Sequence, residues 1–221
     1  MKKALLIHGA YMSSLDFKEM KSFLEKHNVN VSAVELNDGY PEIISYSNYI
    51  DNAKHALQEF GECTVIGISM GGMIASELLN EKNLKKAILL STPVGKAPGN
   101  LKYLLLNLKI LPQILAGKIR INPKELTYEI ENKTYKFLEK IKRFEPISVM
   151  KDSGNFLRIF DNIKASKKSI IMAYGDKDCT VNIGEARKLT KVKLKIFEKM
   201  SHLLIHEKNR KIVYDYVLEN L

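Results

Sequence analysis

The chain has 221 residues, 45% hydrophobic and 27% charged, with 35 Lys and Arg against 25 Asp and Glu and a formal net charge of +10. That length suits one domain with a core of ordinary size, and that composition excludes a disordered or fibrous chain. The positive charge lies on dispersed lysines, with arginine only at Arg120, Arg143, Arg158, Arg187 and Arg210 and no interleaved aromatics, which argues for a lysine-rich solvated surface and against nucleic-acid binding.

Short apolar runs bounded by turn residues predict strands at Ala4–Ile7, Val29–Val34, Thr64–Ile68, Ala87–Leu90, Ser169–Ala173 and Leu194–Phe197. They are too short for helices and continuous enough for strands buried on both faces. Helix-period segments lie between and after them, at Ser14–His27, Ser47–Phe60, Met70–Glu81, Ile183–Thr190 and Leu203–Leu221. That alternation predicts a parallel sheet with helices on both sides.

The start has the two lysines and apolar residues of a secretory leader, but His8 and Gly9 end the run well short of one. No stretch reaches the ~18 uninterrupted apolar residues of a membrane span. The greasiest, Leu101–Leu115, is broken by Lys102, Asn107, Lys109 and Pro112. Two cysteines, Cys63 and Cys179, are too few for a disulfide framework, so the expected home is a reducing cytoplasm.

From Thr92 to about Lys168 no convincing strand occurs, only amphipathic patterns such as "LKYLLLNLKILPQIL" and "YEIENKTYKFLEKIKRF". A structureless loop of that length is improbable in a compact domain, so the interval predicts a helical insertion. The division expected is a core of residues 1–92 and 169–221 with a helical cap at 93–168.

The stretch Gly67-Ile68-Ser69-Met70-Gly71 joins an apolar strand to an apolar helix. The turn must be so tight that residues near the serine lack side chains, and it lifts the hydroxyl above the sheet. The N–H of Met70 then lies at the helix N-terminus, where anions are stabilised. A serine is a weak nucleophile, so the pattern calls for a histidine base and a carboxylate to orient it. The strand at Ser169 ends in "YGDKDCTV" and the strand at Leu194 is followed by "EKMSHLLIHE", which puts both groups after late strands.

Together "LLIHGAYMSS", "VIGISMGGM", "MAYGDKDCTV" and "MSHLLIHE" resemble the α/β-hydrolase superfamily, within it the small esterase, lipase and thioesterase-like serine hydrolases. The resemblance spans almost the whole chain in the family's order. It implies a single α/β domain with a mostly parallel sheet, here of about six strands because the family's two leading antiparallel strands are absent, and a helical cap that carries substrate choice. It implies Ser69 as nucleophile, His202 as base and Asp178 as orienting acid, the last by the family's Gly-x-x-Asp spacing in preference to Asp176. It also implies an oxyanion hole from the N–H groups of Ala10 and Met70. Ser201 stands where the family often has glycine before the histidine.

The expected reaction is hydrolysis of carboxylic esters or thioesters of short to medium apolar acyl groups, because the insertion is rich in Leu, Ile, Tyr and Phe. Tyr11 is a candidate for the acyl pocket. Carbon–carbon bond hydrolysis, cofactor-free perhydrolysis or a silent binding protein on the same fold are the alternatives. His202 and His206 are spaced i, i+4 but lack a third ligand, so neither a metal nor a cofactor is expected. The expected partner is a small ester or thioester substrate. His8 is expected to be structural, and Cys179 a small buried residue.

Overall fold

The computed structural model describes residues 1–36, 45–99, 118–119, 122–140, 145–146 and 155–221. Six strands form its central sheet: β1 (Lys2–Ile7), β2 (Val29–Val34), β3 (Cys63–Ile68), β4 (Leu84–Leu90), β7 (Ser169–Gly175) and β8 (Lys193–Phe197). Their order is β2-β1-β3-β4-β7-β8, and every pair is parallel. All six predicted strands are present, several a few residues longer than their apolar runs.

The continuous apolar runs follow from burial on both faces. Leu5 and Ile7 of β1 face one cluster together with Val65, Leu89 and Met172, whereas Ala4 and Leu6 face the other with Ile66, Ile88 and Ile171. The first cluster is closed by α2 (Tyr46–Phe60), α3 (Met70–Glu77) and α5 (Phe156–Ala165), the second by α1 (Lys18–Lys26) and α7 (Lys211–Glu219). A further helix, α4 (Asn132–Lys140), precedes α5, and a single turn, α6 (Ile183–Ala186), lies between β7 and β8.

The insertion differs from its sequence pattern in two respects. Ile159 and Ile163 of α5 belong to the core cluster, so this helix lies in the layer beside α3. A two-residue antiparallel ladder, β5 (Lys118–Ile119) with β6 (Glu145–Pro146), occurs where no strand was expected. Two residues are too few to show alternation. All of "LKYLLLNLKILPQIL" lies outside the described residues, and with it much of the expected cap.

Four predicted helices are also shorter or broken: Met70–Glu81 ends at Glu77 and Ile183–Thr190 at Ala186, and two more begin with a 3₁₀ turn. The first turn after β1 is a 3₁₀ turn, Ser14–Phe17, capped by Ser13, before α1 begins at Lys18. The predicted helix Leu203–Leu221 is a 3₁₀ turn at Leu204–His206 followed by α7 from Lys211. The break falls where His206 and Glu207 turn inward to partners elsewhere in the chain.

The chain leaves β1 toward β2 on one side and returns to β3 on the other, so the strand order reverses between β1 and β3. In open parallel sheets the crevice outside the carboxyl ends at such a reversal is where ligands bind. Here those ends lead into Ala10 and Ser69.

Candidate active site

Ser69 sits between β3 and α3 with φ 54° and ψ −120°, a left-handed backbone that costs a non-glycine residue about 1–3 kcal/mol. The surroundings hold it there. Its N–H donates to Leu90 O at 2.8 Å, and its own carbonyl accepts from Gly72 and Met73 at 3.0 and 3.2 Å. A Cβ on Gly67 would lie 2.3 Å from the Gly71 carbonyl oxygen, and one on Gly71 would lie 2.1 Å from that of Ile7. The two glycines therefore let β1, β3 and α3 meet at one point, with the serine hydroxyl above it.

His202 and Asp178 are 6% and 9% exposed and come to Ser69 from beyond β8 and β7. His202 Nε2 is 2.8 Å from Ser69 Oγ, and His202 Nδ1 is 2.8 Å from Asp178 Oδ2. A carboxylate only accepts, so Nδ1 carries the proton and Nε2 offers its lone pair to the serine hydroxyl. The other carboxylate oxygen, Oδ1, accepts from the Thr180 hydroxyl at 2.7 Å and the Thr180 N–H at 2.9 Å, and Thr180 Oγ1 is also 2.6 Å from His202 Nδ1. Those bonds orient the carboxylate so that Oδ2 faces the imidazole.

Asp176, two residues earlier, is exposed and turns elsewhere: it pairs with Lys177 at 2.9 Å and accepts from the Met200 N–H at 3.4 Å. Asp178 is thus the aspartate that the structure brings to His202.

On the other side of Ser69, Met70 opens α3, where its N–H has no intrahelical acceptor. Ala10 follows Gly9, whose backbone is so close that a Cβ there would lie 3.1 Å from Ser69 Cβ. Tyr11 is half-buried in the same loop with φ 60°. The loop is fastened from below. His8 Nδ1 bonds Gly9 O at 2.9 Å and His8 Nε2 lies 3.2 Å from Glu35 Oε1, while Glu35 Oε2 accepts from Ser14 N–H at 3.0 Å. Partial burial opposes ionisation of Glu35, but its bonds to His8 and Ser14 outweigh it and bring the carboxyl down to about 2.

Sequence patterning did not single out Thr180, Glu35, Glu207 or the buried pair His206–Asp16, which meet at 3.0 Å. Of these only Thr180 carries a local signal that could have found it, the Asp-x-Thr spacing of a side-chain turn. His206 is turned to Asp16, and among the described residues no group of three or more His, Cys, Asp or Glu could hold a metal ion. Cys63 and Cys179 are buried, and burial pushes the Cys63 thiol up to about 11, away from nucleophile character. A cleft of about 790 Å3 runs past Phe23, Phe137, His206 and Tyr214, but Ser69, Asp178 and His202 do not line it. Among the described residues no helix is long and apolar enough to cross a membrane.

A model described as the alpha/beta hydrolase family matches residues 4–215. No curated protein matches the sequence. Among solved structures, the chain is similar to a lipase-esterase related protein from Clostridium acetobutylicum ATCC 824, with TM-score 0.79 and 20% identity over 100% of this chain and 94% of that one. An esterase from Exiguobacterium antarcticum gives TM-score 0.79 and 16% identity over 100% and 91% of the two chains. A 2-hydroxy-6-oxo-6-phenylhexa-2,4-dienoate hydrolase from Rhodococcus sp. strain RHA1 gives TM-score 0.71 and 17% identity over 99% and 89%. At these identities the likeness is one of fold.

Proposed function

Because the chain belongs to the alpha/beta hydrolase family, we propose that it is a serine hydrolase that cleaves carboxylic esters or thioesters of short to medium apolar acyl groups through an acyl-enzyme. The observation that carries this is the unbroken relay from Ser69 Oγ to His202 Nε2 at 2.8 Å and from His202 Nδ1 to Asp178 Oδ2 at 2.8 Å.

Ser69 Oγ attacks the carbonyl carbon as His202 Nε2 takes its proton, and Asp178 stabilises the imidazolium that results. The N–H groups of Met70 and Ala10 receive the oxyanion, a contribution of about 3 kcal/mol per donor in a comparable hole. Collapse of the intermediate breaks the bond to the alcohol or thiol, which leaves with the proton from His202. Water then attacks the acyl-enzyme by the same route in reverse roles, regenerating Ser69. Tyr11 lines the acyl pocket, and the insertion at 93–168 caps the site, its helix α5 docked on α3.

Labelling with a fluorophosphonate, paired with a panel of esters of increasing acyl length, tests the reading. Wild-type protein should label and hydrolyse uncharged short esters, and Ser69→Ala should do neither, its kcat falling by at least ~10⁴-fold with an unchanged melting temperature. A protein that labels but hydrolyses none of the esters would point to carbon–carbon bond cleavage or another reaction at the same serine. Absence of labelling would leave a binding protein on a hydrolase fold.

A further inference from the structure

Glu207 is 1% exposed, and among the described residues its carboxylate forms no ion pair. It takes three backbone N–H groups instead. Oε1 accepts from Ser201 at 2.8 Å and from Tyr128 at 2.7 Å, and Oε2 accepts from Glu129 at 2.9 Å. Burial pushes this carboxyl up from its ordinary value, and the three N–H bonds oppose that push.

The identity of the donors matters more than their number. Ser201 is the residue before His202. On the far side of the histidine, Leu203 N–H donates to Leu126 O at 2.9 Å, and beyond Glu207 the Lys208 N–H donates to Glu129 O at 2.8 Å. The backbone on both sides of His202 is therefore tied to residues 126–129, which follow the 3₁₀ turn Pro123–Glu125 inside the insertion. No regular element runs through residues 198–203, so the imidazole is set by these ties, by its bonds to Asp178 and Thr180, and by the turn after β7, where Lys177 N–H donates to Met200 O at 2.9 Å.

We infer that Glu207 is a positioning residue for the reaction proposed above: its two oxygens hold the backbone that carries His202 and join it to residues 126–129, so that histidine and insertion form one body at this point. The inference rests on Ser69 and His202 acting as proposed. An imidazole displaced by about 1 Å from its nucleophile can lose about 100-fold in rate. Buried N–H groups left without an acceptor would drive that displacement. Glutamine at 207 keeps one carbonyl oxygen for Ser201 and Tyr128 but sets an NH₂ against the Glu129 N–H. Alanine keeps neither.

The experiment compares wild type, Glu207→Ala, Glu207→Gln and Ser69→Ala as full chains, by kcat and KM on a short 4-nitrophenyl ester and by thermal melting. The expected result is that Glu207→Ala lowers kcat by ~30-fold or more with KM within ~3-fold, and that Glu207→Gln recovers at least ~5-fold of the loss. A folded Glu207→Ala with kcat within ~2-fold of wild type overturns the inference, as does a loss carried by KM or one that glutamine does not relieve. If the alanine variant does not fold, the glutamine variant decides: a ~3- to 10-fold drop in kcat at constant KM supports the role, and an unchanged kcat overturns it. Activity that persists in Ser69→Ala would sink the serine mechanism itself and the positioning role with it, whereas activity lost there but kept in Glu207→Ala removes the positioning role alone.

Discussion

The turn that carries Ser69 runs from Gly67 to Gly71 and is shaped by backbone meeting backbone, with the Ile7 and Gly71 carbonyls standing where a Cβ would go. The loop that carries His202 is crowded at one place, Gly175, where a Cβ would lie 2.2 Å from the Met200 carbonyl oxygen, but its bonds reach much further along the chain. It is held by Asp178, 24 residues away in sequence, by Thr180, 22 away, and by Glu207 with its donors Tyr128 and Glu129, 79 and 78 away. Both end on the same 2.8 Å hydrogen bond. Ser69 is placed by steric exclusion where β1, β3 and α3 meet, an arrangement that should tolerate loss of the hydroxyl but not the gain of a methyl group. His202 is placed chiefly by polar groups converging from three regions, an arrangement that should not tolerate loss of an acceptor.

The contrast is broken most severely at Gly71. A Cβ there meets the Ile7 and His8 carbonyl oxygens at 2.1 and 2.5 Å, and neither belongs to a flexible side chain. Gly71→Ala should lower unfolding stability by about 3 kcal/mol or more, read from the midpoint of urea denaturation. A midpoint equal to that of wild type would mean that this strand-to-helix elbow, Gly67–Gly71, is not limited by backbone crowding.

A change on the histidine side should do the opposite, reducing rate while sparing stability. Asp178→Asn keeps the shape but presents an amide to His202 and Thr180, so kcat should fall by at least ~100-fold. Asp176→Asn, in the same turn but bonded to Lys177 and Met200, should change kcat by less than ~10-fold. The reverse ranking would move the orienting acid to Asp176, and two mild effects would place it outside this turn.

The smallest effect concerns the loop that carries Ala10, which tests whether this third part of the site behaves like the elbow or like the histidine loop. Glu35 is lowered in the folded protein from 4.5 to about 2, with burial opposing the shift and the His8 and Ser14 bonds producing it. A carboxyl whose folded value is depressed adds stability above its unfolded value, and loses that contribution as pH falls from about 4.5 towards 2. The stability difference between wild type and Glu35→Gln should therefore be constant above pH ~5 and shrink below it, in urea titrations at a series of pH values. Because Glu35 is about one-third exposed, solvent screening keeps that difference small. A difference independent of pH would mean that the loop is held by packing, as the elbow is.

Much of the fold was legible because its signals are local. A strand buried on both faces must be apolar throughout, so β1, β3, β4 and β7 showed themselves as short greasy runs between turns. The elbow showed itself for the same reason: the glycines needed by its crowding lie within two residues of Ser69. Helix periodicity carried through Leu203–Leu221 without showing the break, because His206 and Glu207 look like ordinary helical positions until Asp16, Ser201, Tyr128 and Glu129 meet them.

By itself, then, the sequence determined a parallel six-stranded sheet, a serine raised on a strained turn between strand and helix, and the order in which serine, aspartate and histidine follow one another. The tertiary structure decided that Asp178 and not Asp176 meets the imidazole, that α5 joins the core layer beside α3, and that Glu207 ties the histidine loop to residues 126–129. Periodicity and turn chemistry are properties of neighbours along the chain, whereas the partner of a buried polar group is whichever donor or acceptor the packed sheet brings within about 3 Å of it.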